Sequence, residues 1–305
     1  MKEQVISMKT KGKPRNINLS KIILEAAFDI AVKIEAKGIL VIVQSREDIS
    51  ILMGGERGDS PIVAVRNEEL FYEVSDKIPN ALKLPNVNLT RMGQIKVAVM
   101  LALSSGMITP GDILVCVTGI SSIEMNDSVV VLDTGREFEI FSSSHLIDIA
   151  SSVRPDVFET VLNLAMELTT QGREGRAVGT IFVLGDEERV LQLSRQLIIN
   201  PFKGYSEDEL NIHNAPLREA IKEFSMIDGA FVIRGDGVLI TAGRHLNAAL
   251  EGENLPPGLG SRHVAAAGIT SLTNAIAIVV SESTGSLRIF KNGKIFMEIE
   301  RPSVK

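Results

Sequence analysis

The stretch Ser225–Leu246, SMIDGAFVIRGDGVLITAGRHL, decides how the second half of this chain folds. Two β-rich runs, Ala230–Arg234 and Val238–Ala242, flank Gly235-Asp236-Gly237, and Asp-Gly between apolar runs signals a tight hairpin. The hairpin gives its turn glycines a backbone reason to be there. Asp228-Gly229 stands before the first strand rather than between two. No turn therefore accounts for a carboxylate and a residue without a side chain at the mouth of a buried strand.

Working outward, Val157, Val161, Leu164 and Leu168 fall at i, i+4, i+7 and i+11, one face of a helix. Gly179–Gly185 (GTIFVLG) reads as a strand, and Asp186 is placed to cap a following helix in which Val190, Leu193 and Leu197 share a face. After the loop NPFKGY comes a helix over Leu217–Phe224. The late runs AIAIVVSE, SLRIF and KIFMEI are strands joined by turns at Thr284-Gly285 and Asn292-Gly293. This pattern predicts an α+β domain over 144–305, a mixed sheet flanked by helices.

The first half alternates helix and strand: helix Ile22–Ile34, strand Gly38–Ser45, helix Glu47–Met53, strand Pro61–Arg66. A longer helix follows over Arg91–Ser105, with Thr90 as N-cap and Gly106 as its stop. GDILVCVTGI and DSVVVLDT supply two more strands. Strands apolar on both faces, set between helices, predict an α/β domain with a mainly parallel sheet over 1–143. The polar stretch Thr134–His145 marks the seam between the two halves.

The 305 residues carry a net charge of −6, which gives no global drive toward nucleic acid or an anionic membrane. No tryptophan and 4% aromatic residues leave little for a base-stacking platform. The basic run Met8–Arg15 reads as a solvated tail, and Arg57-Gly58-Asp59-Ser60 as a loop rather than an integrin-binding motif. The single cysteine, Cys116, has no internal disulfide partner and sits in an apolar run, as a core residue would. No apolar run is long enough to span a bilayer and the N-terminus lacks a signal-peptide core, so a cytoplasmic protein is expected.

Three polar segments are not explained by strand patterning: Asp228-Gly229, the glycine-rich Gly258–His263 (GLGSRH) before a short helix Val264–Gly268, and Ser281-Glu282 at a strand end. Glycines before a helix N-terminus let backbone N–H groups approach an anion. Arg262 adds a planar, permanently charged fork and His263 a further donor, while Ser261 can bond a sugar hydroxyl or a phosphate oxygen. Asp228 and Glu282 are carboxylates able to hold a hard divalent cation among phosphate oxygens. Together these describe a nucleoside triphosphate site. Walker A, nucleophile-elbow and paired-cysteine zinc patterns are absent from the sequence. His145 and His213 sit in polar linkers without metal-ligand spacing, and His245 reads as a surface residue at a strand end.

Taken in order, DGA (Asp228–Ala230), GSRH (Gly260–His263) and VVSE (Val279–Glu282), with LSRQLIINPFKGY upstream, resemble the diadenylate cyclase (DAC) domain over most of Ser144–Glu300. From about Leu19 to Asp133, GMITPGDILVCVTG included, the first half resembles the C-terminal domain of pyruvate kinase, and the pair resembles an archaeal architecture of this enzyme class. The resemblance implies that two ATP molecules become cyclic di-AMP and two pyrophosphates, with Mn²⁺ or Mg²⁺, across two catalytic domains that face each other in a homo-oligomer. It makes Asp228, Arg262 and His263 catalytic. Asp228 would assist the 3′-hydroxyl directly or through the metal, and Gly229 would leave room for the nucleotide. Gly260, Ser261, Arg262 and His263 would hold phosphates and ribose, Leu246 and Ser281 would line the nucleoside, and Glu282 would be a second metal-side carboxylate. The first half would regulate or assemble the enzyme.

One position departs from the family pattern: Val264 stands where the motif ends in a second arginine. The missing contact is either lost or supplied by Arg244, Arg234 or a partner chain. Ser261 in place of the usual threonine keeps the hydroxyl. Two rival readings stay open, a nucleotide-binding sensor that has lost turnover and a structural scaffold.

Overall fold

The computed structural model describes residues 18–53, 60–120, 123–136, 152–172, 176–247, 256 and 258–300. The basic run Met8–Arg15, the Arg57-Gly58-Asp59 triplet and the seam from 137 through His145 lie outside the described residues.

Helix α1 (Leu19–Lys33) is started by Asn18, whose side chain accepts from the Lys21 N–H. It leads into β1 (Gly38–Val43), α2 (Arg46–Met53), β2 (Ile62–Val65), α3 (Glu68–Ser75) and β3 (Ala81–Lys83). Helix α4 (Arg91–Ser104) begins where the Thr90 hydroxyl takes the Gly93 N–H at 3.0 Å, and the chain turns away at Gly106 with φ +72°. Strands β4 (Ile113–Ile120) and β5 (Met125–Asp133) complete a sheet ordered β3-β2-β1-β4-β5 among the described residues. All its pairings are parallel except β4 with β5, so the expected mainly parallel sheet carries one antiparallel edge strand. Cys116 is fully buried in β4, and burial pushes its thiol up to about 12, as befits an inert core residue.

The second half begins with α5 (Pro155–Gln171), then β6 (Thr180–Leu184), α6 (Glu187–Gln192), β7 (Ser194–Gln196) and α7 (Ala215–Phe224). It continues through β8 (Ala230–Ile233), β9 (Leu239–Leu246), α8 (Ser261–Leu272), β10 (Ile276–Val280), β11 (Leu287–Lys291) and β12 (Lys294–Ile299). The sheet order is β12-β11-β10-β6-β8-β9-β7, mixed as expected, with β6 and β8 parallel and the other neighbours antiparallel. The β8–β9 hairpin closes through Gly237 N–H to Arg234 O at 2.9 Å and Arg234 N–H to Val238 O at 2.8 Å. Asn292 and Gly293 both have positive φ between β11 and β12, as an Asn-Gly turn requires.

Two expectations for this half need correction. The helix after Asp186 ends at Gln192, and the next residues pair as edge strand β7 with β9, which leaves Leu197 half-exposed rather than on a buried helix face. Asp186 does not cap that helix with its side chain; its carboxylate accepts from the Asn274 N–H at 2.7 Å instead.

The two sheets share one core. Leu40, Ile42, Ala64, Leu114 and Cys116 of the first sheet belong to the same buried cluster as Phe182, Phe231, Ile278 and Ile289 of the second. Helix α4 makes the junction. It is buried nearly all round, packing β1 and β4 on one side and α5 and β12 on the other. A helix apolar on every side is stable only when covered on every side. Helix α1 covers the opposite face of the first sheet, and α8 the opposite face of the second.

Candidate functional site

Strands β6 and β8 run parallel, so their starting ends lie at one edge of the second sheet, where antiparallel β9 and β10 finish. This register collects Gly179, Asp228-Gly229, Arg244–Leu246 and Glu282 at a single edge, with the N-terminus of α8 beside them. A cleft of about 180 Å³ opens there, lined by Asp228, Gly229, Leu246, Ser261 and Arg262 together with Ile181, Leu197, Arg244, His245 and Ala265. Asp228 is exposed, and its Oδ1 accepts from the Gly229 N–H at 2.9 Å.

Gly229 has a structural reason of its own. Its φ is +101°, and a Cβ there would stand 2.6 Å from the Gly243 carbonyl carbon and 2.7 Å from the Arg244 nitrogen. The register between β8 and β9 shifts between Ala230 and Val232, and at this irregularity the two backbones approach too closely for any side chain. The glycine serves the close approach of β8 to β9 at Gly243 and Arg244, a contact that local pattern does not reveal. Gly229→Ala is therefore expected to destabilise the fold by about 1–3 kcal/mol through left-handed strain and backbone overlap. Thermal unfolding of the variant checks this.

The helix carrying the glycine-rich segment is longer than expected. It starts at Ser261 and runs to Leu272, with Gly260 as an extended N-cap. Ser261, Arg262 and His263 thus form its first turn rather than a loop. A Cβ on Gly260 would meet nothing within 4 Å, so this position faces open space. Ser261 and Val264 are exposed, and Arg262 reaches Glu282 with Nη1 3.2 Å from the carboxylate. Gly179, which no local pattern singles out, makes that reach feasible: a Cβ there would lie 2.4 Å from Arg262 Nη1.

The remaining candidates stand elsewhere. His263 is buried, points away from the cleft lining, and sets Nε2 3.0 Å from Arg288. Ser281 and Glu282 line a neighbouring cavity of about 330 Å³ with Thr169, Thr170 and Arg176. Ser281 is buried in the β10–β11 turn, where its hydroxyl accepts from the Thr284 N–H and its carbonyl from the Gly285 N–H. Of the two carboxylates, Asp228 is in the cleft, and Glu282 is engaged with Arg262. Among the described residues no group of three or more His, Cys, Asp or Glu is assembled for a metal ion. The donor set fits a cation shared between Asp228 and a ligand's own oxygens, not a protein cage.

Two arginines stood as replacements for the motif's second arginine. Arg234 is bound by Glu207 and Asp236 at the hairpin, which raises its pKa further. Arg244 lines the cleft, but its Nε and Nη2 donate to Ser194 and to the Leu191 carbonyl. His213 is tied to Asp156 at 3.1 Å and Thr160 at 3.3 Å, a structural contact. His245 lines the cleft while exposed.

A family model described as DisA bacterial checkpoint controller nucleotide-binding matches residues 167–295, and one described as probable sensor domain DacZ_P matches 19–141. A diadenylate cyclase of Methanocaldococcus jannaschii is 41% identical over 175 residues, 57% of this chain and 55% of its own length, so the chain spans about half of that relative. A diadenylate cyclase of Haloferax volcanii is 34% identical over 244 residues, 79% of this chain and 86% of its own. Among solved structures, DacA from Staphylococcus aureus aligns with 47% of this chain and 85% of its own at 23% identity and TM-score 0.31. A Cryptosporidium parvum pyruvate kinase aligns with 40% of this chain and 24% of its own, at 16% identity and TM-score 0.33. No helix among the described residues is long and apolar enough to cross a membrane. The extent of the match to the Haloferax volcanii protein, 86% of its length, makes this chain a member of the diadenylate cyclase family.

Proposed function

We propose that the chain condenses two ATP molecules into cyclic di-AMP and two pyrophosphates, each 3′-hydroxyl attacking the α-phosphate of the nucleotide on a second copy. The observation that carries this reading is the meeting of Asp228 with Ser261 and Arg262 at one open cleft, in a chain of this family. Asp228 accepts the proton or orients the hydroxyl. Ser261 and the backbone N–H groups of the α8 first turn receive phosphate oxygens, favoured by the helix end. Arg262, freed from Glu282 as phosphate takes its place, stabilises charge on the α-phosphate and the departing pyrophosphate. Leu246 and Ile181 give the nucleoside an apolar wall. A bound Mn²⁺ or Mg²⁺ would supply charge neutralisation between Asp228 and the phosphates.

A cleft of about 180 Å³ falls below the 300–1,000 Å³ or so of pockets that enclose a ligand of this size. That supports a half-site completed by a second copy, and the exposed Leu197 on its lining gives such a copy apolar surface to cover. Bringing two held nucleotides into line supplies about 7–11 kcal/mol of the barrier through orientation alone. The first half acts on assembly or rate.

The test is a mass spectrum of the nucleotides formed from ATP with Mn²⁺ or Mg²⁺. Cyclic di-AMP with pyrophosphate is expected. ATP bound but unchanged, over a wide range of protein concentrations, would establish the sensor reading instead.

A further inference from the structure

His263 belongs to the catalytic helix turn but does not line the cleft, and what holds it has a path into the other half of the molecule. Arg288 of β11 presents Nη1 to His263 Nε2 at 3.0 Å. Arginine only donates, so Nε2 accepts and the imidazole proton sits on Nδ1. The opposite end of the guanidinium, Nη2, is paired with the Glu298 carboxylate, its cross-strand neighbour on β12. The Glu298 carbonyl in turn accepts from Lys96 Nζ at 3.1 Å, and Lys96 lies on α4, the helix wedged between the two sheets. Phe290 backs the imidazole with ring centroids 6.1 Å apart.

We propose that Arg288 is a positioning residue of the nucleotide cleft, pegging His263 and with it the Ser261-Arg262 turn, and that Lys96 bears on the cleft from the first half through Glu298 and Arg288. The peg requires a neutral ring. Burial holds the His263 pKa below its ordinary value, aided by the charges of Arg288 and Arg262 and opposed by Glu298. These are the charged groups around the ring on α8, β11 and β12. A protonated ring would turn an acceptor into a donor facing a guanidinium, and the turn carrying Arg262 would shift.

The experiment rests on the proposed cleft as the ATP site, and its two readouts separate that reading from this one. Imidazole ¹⁵N spectra of the full chain are recorded against pH for the wild type, Arg288→Met, Arg288→Lys and Lys96→Met, beside kcat and KM for ATP. In the wild type, His263 should show the Nδ1–H neutral form and titrate below the ordinary imidazole range. Arg288→Met should raise the His263 pKa and raise KM about tenfold, the effect of losing one charge-assisted hydrogen bond. Arg288→Lys keeps a donor and a charge, so it should restore the neutral form in part and guards against a misfolded methionine variant. Lys96→Met should raise KM less, and should add nothing in an Arg288→Met background, since its effect passes through that residue. An unchanged His263 titration in both Arg288 variants overturns the peg. Additive Lys96 and Arg288 effects overturn the link to α4. If the spectra behave as expected while the wild type neither binds nor turns over ATP, the peg stands and the cleft assignment fails.

Discussion

Replacing Asp228 with asparagine is expected to cut kcat by about 10²–10⁴-fold, the usual worth of a positioned acid or base, while ATP affinity stays within a few-fold. Asp228 is the only carboxylate among the described residues lining the cleft, so no neighbour stands ready to replace it. The asparagine oxygen can still accept from the Gly229 N–H, the 2.9 Å bond that shapes the loop. Geometry is therefore kept while basicity and charge are removed. Turnover and an equilibrium ATP titration on the same preparation make the comparison. Full activity in Asp228→Asn would take this residue out of the chemistry.

The second large effect concerns stability. Met100 is fully buried on α4 within the cluster common to both sheets. Met100→Ala should cost about 2–5 kcal/mol, the range for emptying a large buried site. The loss should appear equally in both halves. Amide hydrogen exchange followed at β1 and at β6 reports each sheet, and the two should lose protection together. Protection lost at β1 alone would make the halves independent folding units. By the same reasoning, a chain cut down to residues 144–305 would uncover the α5 and β12 surfaces that α4 now seals, and is expected to aggregate.

Much of this was readable in advance where the signal is local. Thr90 as the α4 cap, the Asp236-Gly237 hairpin and the Asn292-Gly293 turn are set by side chains and backbone preferences within a few residues. Leu197 shows where local reading fails. Its spacing continues a helical face, yet β7 forms because β9, some fifty residues on, offers an open edge. Strand β3 and helix α3 carry no clear sequence signal because each is short and gains its stability from β2. Sequence pattern starts α8 at Val264, three residues late, because Gly260 caps by backbone geometry alone and leaves no side-chain signature.

In the site, the structure brings the DGA and GSRH segments to one cleft and sets the end of VVSE on a neighbouring cavity, and the order of motifs does not say which side chain each one presents. Asp228, Leu246, Ser261 and Arg262 do meet. His263 alternates inward on the helix and is claimed by Arg288, and Ser281 is claimed by its own turn. Gly179 carried no signal, because its role is the space it leaves for Arg262 from another strand. The apolar run of α4, Val97 to Leu103, did contain one: a helical stretch without a polar face announces a partner on both sides.

The claim beneath the mechanism is that one chain holds half of the reactants. Specific activity measured over a dilution series, with oligomer mass followed in parallel, addresses it directly. Cyclic di-AMP formation per chain is expected to fall away as the protein dilutes through its association range, and to return on concentration. A specific activity that stays constant in a sample shown to be monomeric would contradict the account.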